Sequence, residues 1–563
     1  MTDPLNGSSR WTVASVCLLL VVAAAFRWPA LGQIPPAINQ DEASRGYDAW
    51  SILETGADRH QDRWPLFLKS FGPGDYAAAL PSYLMIPFVA VLGPTPLAFR
   101  LPSAICSVAT VLLLFDWLRR RFKLSTALVA GFILAADPWH ILVTRTGYEF
   151  AFVPFFMILG FWALQRAIDT REKQPGLPSH SGGWLMLAAG SAAMTAWTYS
   201  GTRLFIPLFL IAACLIYRRE LIAIAKRPAD RVLIVKFVIA LILFASPMWW
   251  TLLTQREHFA ARAQVALFDF RPSALSSTLP QVAVNYLRYF QPQYIWTQPD
   301  YVTMIWIPGV GLHLWVAAPF ILLGQILIIV RARQNRFDRL LLAWWLLSPV
   351  PAAICKDLQP HIVRAIAIMP LIPVFGGIGG AWLVDRIARF GRAGLACIAM
   401  VGCCFIANAA YLARQYFSGY AQIARLGFQT SLVEAMEFIS SRSQNADFIL
   451  VTNRVNQPYI YALLYGRIPP RELASLPIIA APGPGNFDHV VHVGRFYFAP
   501  LDPTIFLEDM EAFKREWAAV PDGARGLVVE APGVFREGEL LASFGSVENP
   551  DDIPLEVRQW TKH

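Results

Sequence analysis

The stretch AFRLPSAICSVATVLLLFDWLRRR, residues 98–121, is an apolar run closed by three consecutive arginines. A run of this length, rising 1.5 Å per residue as a helix, crosses a hydrocarbon layer of ~30 Å. The arginines at its end mark the cytoplasmic side, because short cytoplasmic loops carry the excess of Lys and Arg. Outward from this segment, similar runs recur at roughly 11–31, 124–137, 148–168, 184–200, 203–217, 232–253, 305–330, 339–355, 365–385 and 393–413, about eleven spans in all. The runs 124–137 and 203–217 are short for a span, as tilted or partly shielded helices are. Composition agrees: 55% of the 563 residues are hydrophobic and 15% charged, against about a quarter charged in soluble domains. Mean hydropathy is +0.43.

The formal charge of +9 is gathered into five basic clusters between runs: Arg119 to Arg121, Arg166 to Lys173, Arg218 to Arg231, Arg331 to Arg339 and Arg386 to Arg392. All five fall on the cytoplasmic side of one alternating path if the Pro-rich apolar stretch 77–93 stays in the first outer loop as a juxtamembrane or re-entrant helix. The outer segments are then 32–97, 137–147, 254–304 and 355–364. With basic residues confined to loops, no aromatic-interleaved basic stripe and no zinc-finger spacing, a nucleic-acid partner is excluded. Seven cysteines, nearly all inside apolar runs, form neither a disulfide framework nor a metal site. Arg10 and the run 11–25 resemble a secretory signal but continue into Phe26-Arg27-Trp28, which reads as a retained first anchor. There is no solenoid repeat and no inverted duplication of a secondary transporter.

Beyond residue 414 the long apolar runs end. Helical patterns at 433–441, 459–465 and 507–520 alternate with extended ones at 448–451, 490–498 and 527–529. The expected organisation is a membrane domain, 1–414, and a small extracytoplasmic α/β domain, 415–563, of ordinary domain size.

Three outer-side clusters of polar residues are not explained by membrane crossing. In QDEASRGYDAWSILETG, residues 40–56, Ala43, Tyr47, Trp50 and Leu53 form a helical stripe suited to lying on the membrane surface, with Asp41 and Glu42 at its amino-terminal end. Asp41 as an N-cap with Glu42 as a first-turn acid accounts for the pair, and so does a general base facing a lipid-borne substrate. The turn 71–76 adds Asp75. In DPWHILVTRTGYE, residues 137–149, Asp137, His140, Arg145 and Glu149 lie close together, with Arg145 and Glu149 spaced to pair on a helix. The third cluster is Lys356, Asp357, His361 and Arg364. A helix after Pro360 would put His361 and Arg364 on one face, and Arg203 just after Tyr199 repeats the pattern. Cations on the less favoured side suit an anionic headgroup or a ring of lipid phosphates.

In combination, these motifs resemble the GT-C superfamily of membrane glycosyltransferases, specifically family 39, with the bacterial relatives of protein O-mannosyltransferases and lipid A aminoarabinose transferase. The carriers are Asp41-Glu42 with Gly46-Tyr47, Leu101-Pro102-Ser103, Asp137-Pro138-Trp139-His140 with Arg145 and Glu149, Tyr199 with Arg203, and His361 with Arg364. The resemblance implies a GT-C-like helical membrane fold in a bacterial inner membrane, with the carboxy-terminal domain outside. It implies transfer of a hexosyl or pentosyl group from a polyprenyl-phosphate sugar donor to a protein, glycan or lipid acceptor. On that pattern Asp41 is the base with Glu42 in support. Asp75, His140, Arg145, Glu149, Tyr199, Arg203, Lys356, His361 and Arg364 bind substrate. The Asp-x-Asp signature of nucleotide-sugar enzymes is absent, and no cofactor is implied. A transporter or flippase of lipid-linked sugars is the alternative reading, and a non-catalytic scaffold a third.

Overall fold

A computed structural model of the chain describes residues 5–73, 75–173, 178–254, 267–296, 304, 306–307, 309–356, 360–482, 487–499, 507–546, 548–550 and 552–563. The expected turn residue Gly74 and the cluster member Asp357 lie outside the described residues. The chain is mostly helical, with a carboxy-terminal sheet, and divides into two compact units. One comprises Met1–Pro29, Ser103–Thr254 and Ala263–Tyr416; the described part of the other is Ala30–Pro102 with Phe417–His563. The sequence reading puts residues 30–102 in a 1–414 domain, whereas in the structure they pack with the carboxy-terminal residues.

The first unit is helical. Among the described residues three helical stretches, Pro96–Arg121, Glu149–Glu172 and Ile366–Ile423, are long and apolar enough to cross a membrane, or five if each bent pair counts as one span. Leu124–Ala135 with Pro138–Thr144 bends by 54°, and Asp230–Phe244 with Ser246–Thr254 by 50°. Pro138 and Pro247, each at the start of a following helix, account for the bends, since proline lacks an N–H and cannot continue a helix unbroken. The stretch Ile366–Ile423 takes in the two expected spans 365–385 and 393–413, which part at Gly391, where φ is +60°. Other apolar helices, including Thr202–Ile216 and Trp315–Arg331, are shorter than a full span. Large side chains such as Ile406 (72% exposed) and Leu253 (71%) lie on the outside of the unit, where lipid rather than water is the compatible solvent.

With lipid outside, helices in such a unit are held by close backbone approach rather than by hydrophobic exclusion. Helix Ile372–Ile387 carries the sequence FGGIGG, and packs on Ala318–Arg331 and on Leu124–Ala135. A Cβ at Gly379 would collide with the Phe320 carbonyl, and one at Gly324 with the Phe375 carbonyl; a Cβ at Gly377 would lie 2.6 Å from the Thr126 carbonyl.

Among the described residues the second unit holds nine strands: β1 (Phe67–Lys69), β2 (Tyr76–Ala78), β3 (Phe448–Thr452), β4 (Ile478–Pro482), β5 (Asp488–Val493), β6 (Phe496–Ala499), β7 (Arg525–Glu530), β8 (Glu539–Phe544) and β9 (Leu555–Thr561). β1 and β2 form a hairpin, and the other seven one sheet ordered β4-β5-β6-β3-β7-β9-β8. β3 runs parallel to both β6 and β7; the remaining pairs are antiparallel. The stretch 77–93 is a 13-residue helix, Leu80–Leu92, preceded by β2. At 1.5 Å per residue it reaches only about 20 Å.

The helix Gln40–Thr55 is not the surface-lying helix of the sequence reading. Ten of its residues, from Glu42 to Ile52, are buried, among them Ser44, Arg45, Asp48 and Ser51, because it packs on Leu80–Leu92 and on the carboxy-terminal helices Pro458–Tyr465 and Pro470–Leu473. The Tyr47 hydroxyl donates to the Ile468 carbonyl (2.8 Å) and the Tyr461 hydroxyl to that of Ile38 (3.1 Å). Asn39 Nδ2 donates to Gly427 (2.8 Å), and Lys69 pairs with Asp488 (3.2 Å).

If glycine approach holds the first unit together, Gly379→Ala overpacks the helix contact and lowers stability by about 1–3 kcal/mol. Gly402→Ala, at a position with open space around it, leaves stability unchanged. Thermal unfolding of both variants in detergent, scored against wild type, checks this; equal midpoints would contradict it.

Candidate active site

Asp41 and Glu42, adjacent in sequence, have separate environments. Asn39, and not Asp41, is the N-cap of Gln40–Thr55: its side chain accepts from the Asp41 amide (3.0 Å), while Glu42 Oε2 accepts from the Asn39 amide (3.3 Å). This capping box satisfies helix-start donors reciprocally. Glu42 is also ion-paired to Arg100, with Nε to Oε1 at 3.0 Å and Nη2 to Oε2 at 3.1 Å, and neither side chain is exposed. Arg100 donates further to the carbonyls of Leu31 (3.3 Å), Pro35 (3.0 Å) and Ala37. Asp41 faces the other way, with 36% of its side chain exposed and Arg45 at 3.9 Å. The helix that carries these acids ends at Gly56, its C-cap, at φ +72°.

A second buried ion pair braces the same helix. Asp48 and Arg59 meet at 2.5 Å with no exposure, and Arg59 donates also to Ser44 Oγ (2.6 Å) and to the carbonyls of Lys69 (2.8 Å) and Ser70 (2.5 Å). Beside it, Asp58 accepts from the amides of His60 (2.9 Å) and Asp62 (3.0 Å). Burial, with the Asp48 charge nearby, pushes Asp58 up to about 7. Burial, with Arg59 and Lys69 nearby, pushes His60 down to about 3. Asp75 is half-buried in the β1–β2 turn, where its carbonyl accepts from the Ser70 amide (2.7 Å).

In the first unit, Asp137 caps Pro138–Thr144 by accepting from the His140 amide (2.9 Å), and its other oxygen lies 2.5 Å from His313 Nδ1. His140 is fully buried; its Nδ1 accepts from Arg27 Nη2 (2.7 Å), and Arg27 donates also to the carbonyls of Ala23 (3.1 Å), Leu134 (3.1 Å) and Ala135 (2.6 Å). Arg145 is likewise buried, with donors directed at the Tyr416 hydroxyl (2.8 Å) and the carbonyls of Phe26 (3.0 Å) and Pro29 (2.8 Å). Its guanidinium lies 5.1 Å from the Tyr416 ring. Glu149 is buried at the start of the 3-10 turn Glu149–Phe152.

The turn between Tyr199 and Arg203 lies against the Arg364 backbone. A Cβ on Gly201, between the first two, would sit 2.9 Å from the Tyr199 ring and 3.3 Å from the Arg364 carbonyl, so a side chain there would press on both. Tyr199 also meets Phe150 edge-on at 6.0 Å. His361 lies in irregular backbone and Arg364 in a turn, both before the 3-10 helix Ile366–Leu371 and not on the expected helix; the His361 carbonyl accepts from the Tyr289 hydroxyl (3.4 Å). The Tyr289 hydroxyl accepts from the His361 amide (2.8 Å). His361 and Arg364 are both half-buried, and Lys356 is exposed.

A family model described as dolichyl-phosphate-mannose-protein mannosyltransferase matches residues 77–250. The crystal structure of ArnT from Cupriavidus metallidurans bound to undecaprenyl phosphate overlays with a TM-score of 0.55, covering 98% of both chains at 12% identity. The resemblance to GT-C membrane glycosyltransferases holds. The archaeal oligosaccharyltransferase AglB from Archaeoglobus fulgidus, in complex with an inhibitory peptide and a dolichol-phosphate, overlays at a TM-score of 0.48 and 12% identity, covering 81% of this chain and 64% of its own. YkcB of Bacillus subtilis (strain 168), provisionally named a mannosyltransferase, is 35% identical over 68 residues; the match spans 12% of this chain and 10% of that protein.

Sequence reasoning passed over Asn39, Arg100, Arg27 and His313. The Asn39-x-x-Glu42 spacing is a readable capping-box signal; the side-chain partners of Glu42, His140 and Asp137 are far away in sequence and leave none.

Asp58 and His60 make opposite contributions to stability. Asp58 ionises near pH 7 when folded against about 3.9 unfolded, so the folded state holds the extra proton and stability falls as pH rises through that window. His60 titrates near 3 when folded against about 6.5 unfolded, so the unfolded state holds the proton and stability rises over the same window. Thermal midpoints measured between pH 4.5 and 6.5 will rise more steeply with pH in Asp58→Asn than in wild type, and less steeply in His60→Asn. Shifts of the same sign in both variants would contradict the assignment.

Proposed function

We propose that this protein transfers a glycosyl group from a polyprenyl-phosphate-linked sugar to a hydroxyl of an acceptor on the extracytoplasmic face, with Asp41 as general base. The observation that carries the reading is the division of labour within the acidic pair. Glu42 is committed to Arg100 and to the capping box, while Asp41, one residue earlier, keeps its carboxylate toward solvent. A carboxylate at a helix start, held in place by its neighbour, is positioned without being consumed.

The chemistry requires few groups. Asp41 takes the proton of the acceptor hydroxyl as its oxygen bonds to the anomeric carbon. The bond from that carbon to the phosphate oxygen breaks, and polyprenyl phosphate leaves with the electron pair. Phosphate is already a good leaving group, so the need is for cations to meet its charge. Arg203, His361 and Arg364, with Lys356, are the proposed cations, and Tyr199 a neighbouring hydroxyl. Arg145 and His140, read from sequence as substrate ligands, serve as scaffold in this proposal, because their polar atoms already face carbonyls, Tyr416 and Arg27. Asp75 and Glu149 receive no step. The reading is supported by the fold shared with ArnT, whose structure holds undecaprenyl phosphate.

The acidic pair gives a two-way test. Asp41→Asn removes the base while leaving Asn39 and Glu42 to hold the helix, so transfer should slow by about 10²–10⁴-fold at unchanged thermal midpoint. Glu42→Gln strands the buried Arg100 charge and should cost about 3–5 kcal/mol of stability. Transfer rate, donor affinity and thermal midpoint measured for both purified variants check this. Wild-type transfer by Asp41→Asn would remove Asp41 as the base.

A further inference from the structure

A cavity of about 240 Å³ opens in the second unit at the carboxy-terminal end of β3, lined by Asn453, Arg454, Asn456, Gln457, Tyr459 and His489 among others. The topology favours a binding site there. β3 lies between β6 and β7 and parallel to both; the chain runs from β3 to β6 on one flank and returns through the helix Leu507–Ala518 to β7 on the other. Crevices beyond the carboxy ends of parallel strands, where connections diverge in this way, are the usual ligand sites of open α/β sheets.

The lining states the ligand chemistry. Three side-chain amides supply donors and acceptors side by side, Arg454 and His489 add nitrogen donors, and no carboxylate is among the described residues that line the cavity. Asn453 Nδ2 donates to the Phe498 carbonyl (3.3 Å) and Gln457 Nε2 to that of Asp488 (3.3 Å), which fixes both amides. Arg454, half exposed, is steered by the buried Glu530 at 3.8 Å. The volume is below the ~300–1,000 Å³ of drug-sized pockets, which suits a single sugar ring rather than a peptide segment.

The cavity is tied to the acidic pair through one side chain. Gln429 Nε2 reaches Gln40 Oε1 (3.1 Å) and the Asn456 carbonyl (2.9 Å), while the Asn456 amide donates to Gln429 Oε1 (2.7 Å). Gln429 is buried and held at φ +48°, a conformation that a non-glycine residue adopts at some cost. One wall of the cavity is therefore braced directly to the residue preceding Asp41.

We propose that this cavity binds a sugar ring of the acceptor, so that the acceptor is a saccharide and the carboxy-terminal sheet selects it. This rests on the transferase reading for the word acceptor, and the test separates the two. Saturation-transfer NMR on the full chain in detergent would use methyl α-mannoside, methyl β-galactoside, N-acetylglucosamine and galacturonate as probes. At least one should bind, and Arg454→Ala and Asn456→Ala, both at exposed positions, should weaken it roughly tenfold, as loss of one to two hydrogen bonds does. Preference for galacturonate, lost in Arg454→Ala, marks an acidic sugar; equal binding of the neutral probes marks hydroxyl recognition. Asp41→Asn should leave binding unchanged. In transfer assays the cavity variants should raise acceptor KM at unaltered donor affinity. No binding by any probe, or binding and KM unaffected by both variants, overturns the cavity while leaving the transferase reading standing. Probe binding in a protein that transfers from no polyprenyl-phosphate sugar supports the saccharide site and removes the transferase reading.

Discussion

A carboxylate and a guanidinium withdrawn from water have to satisfy each other, and Glu42 and Arg100 do so with no exposure of either side chain. Removing one partner of such a pair strands a charge, which is far costlier than the pair's net worth. The remaining donors of Arg100 go to carbonyls of Leu31, Pro35 and Ala37, in a segment without regular secondary structure whose backbone acceptors have no ladder to join. One ion pair therefore fixes the approach to the helix, its first turn and the direction of Asp41.

The same device recurs. Arg59 ties Asp48 to the carbonyls of Lys69 and Ser70, Arg27 ties His140 to three carbonyls, and Arg145 ties Tyr416 to two. A guanidinium offers five donors in a fixed fork, so a single buried arginine can close several carbonyls at once. Irregular backbone at membrane depth is tolerated only where such partners exist. An arginine within an apolar context is therefore as readily a backbone clamp as a phosphate ligand, and the distinction lies in what its donors already face.

The legible parts of the fold were those with local causes. The carboxy-terminal helices at 430–440, 458–465 and 507–518 and the strands at 448–452 and 525–530 follow their sequence patterns closely, because alternation and helical stripes act over a few residues. The expected strand 490–498 is two antiparallel strands, β5 and β6, turning at Gly494, whose φ of +58° suits glycine. β4, β8 and β9 were not foreseen: β4 ends on a proline and β8 is largely exposed, so neither shows clean alternation. Helices such as Leu124–Ala135 keep the apolar character read from sequence, but their breaks depend on tertiary packing. In the candidate site, Asp41 and Glu42 were legible as a pair, and their separate environments were not, since Arg100 lies 58 residues from Glu42 in the chain. The packing of residues 30–102 with the carboxy-terminal sheet rests on contacts such as Tyr47 to Ile468, 421 residues apart, which no local pattern announces.

The most direct measurement of the central claim is product analysis with the purified full chain in proteoliposomes. Mannosyl and arabinosyl polyprenyl phosphates, radiolabelled in the sugar, would be supplied with saccharide, peptide and lipid acceptors. The account predicts label in a covalent acceptor product, with one polyprenyl phosphate released per sugar transferred. Label that stays on the lipid and only changes leaflet would contradict it, and would make the protein a transporter of lipid-linked sugars.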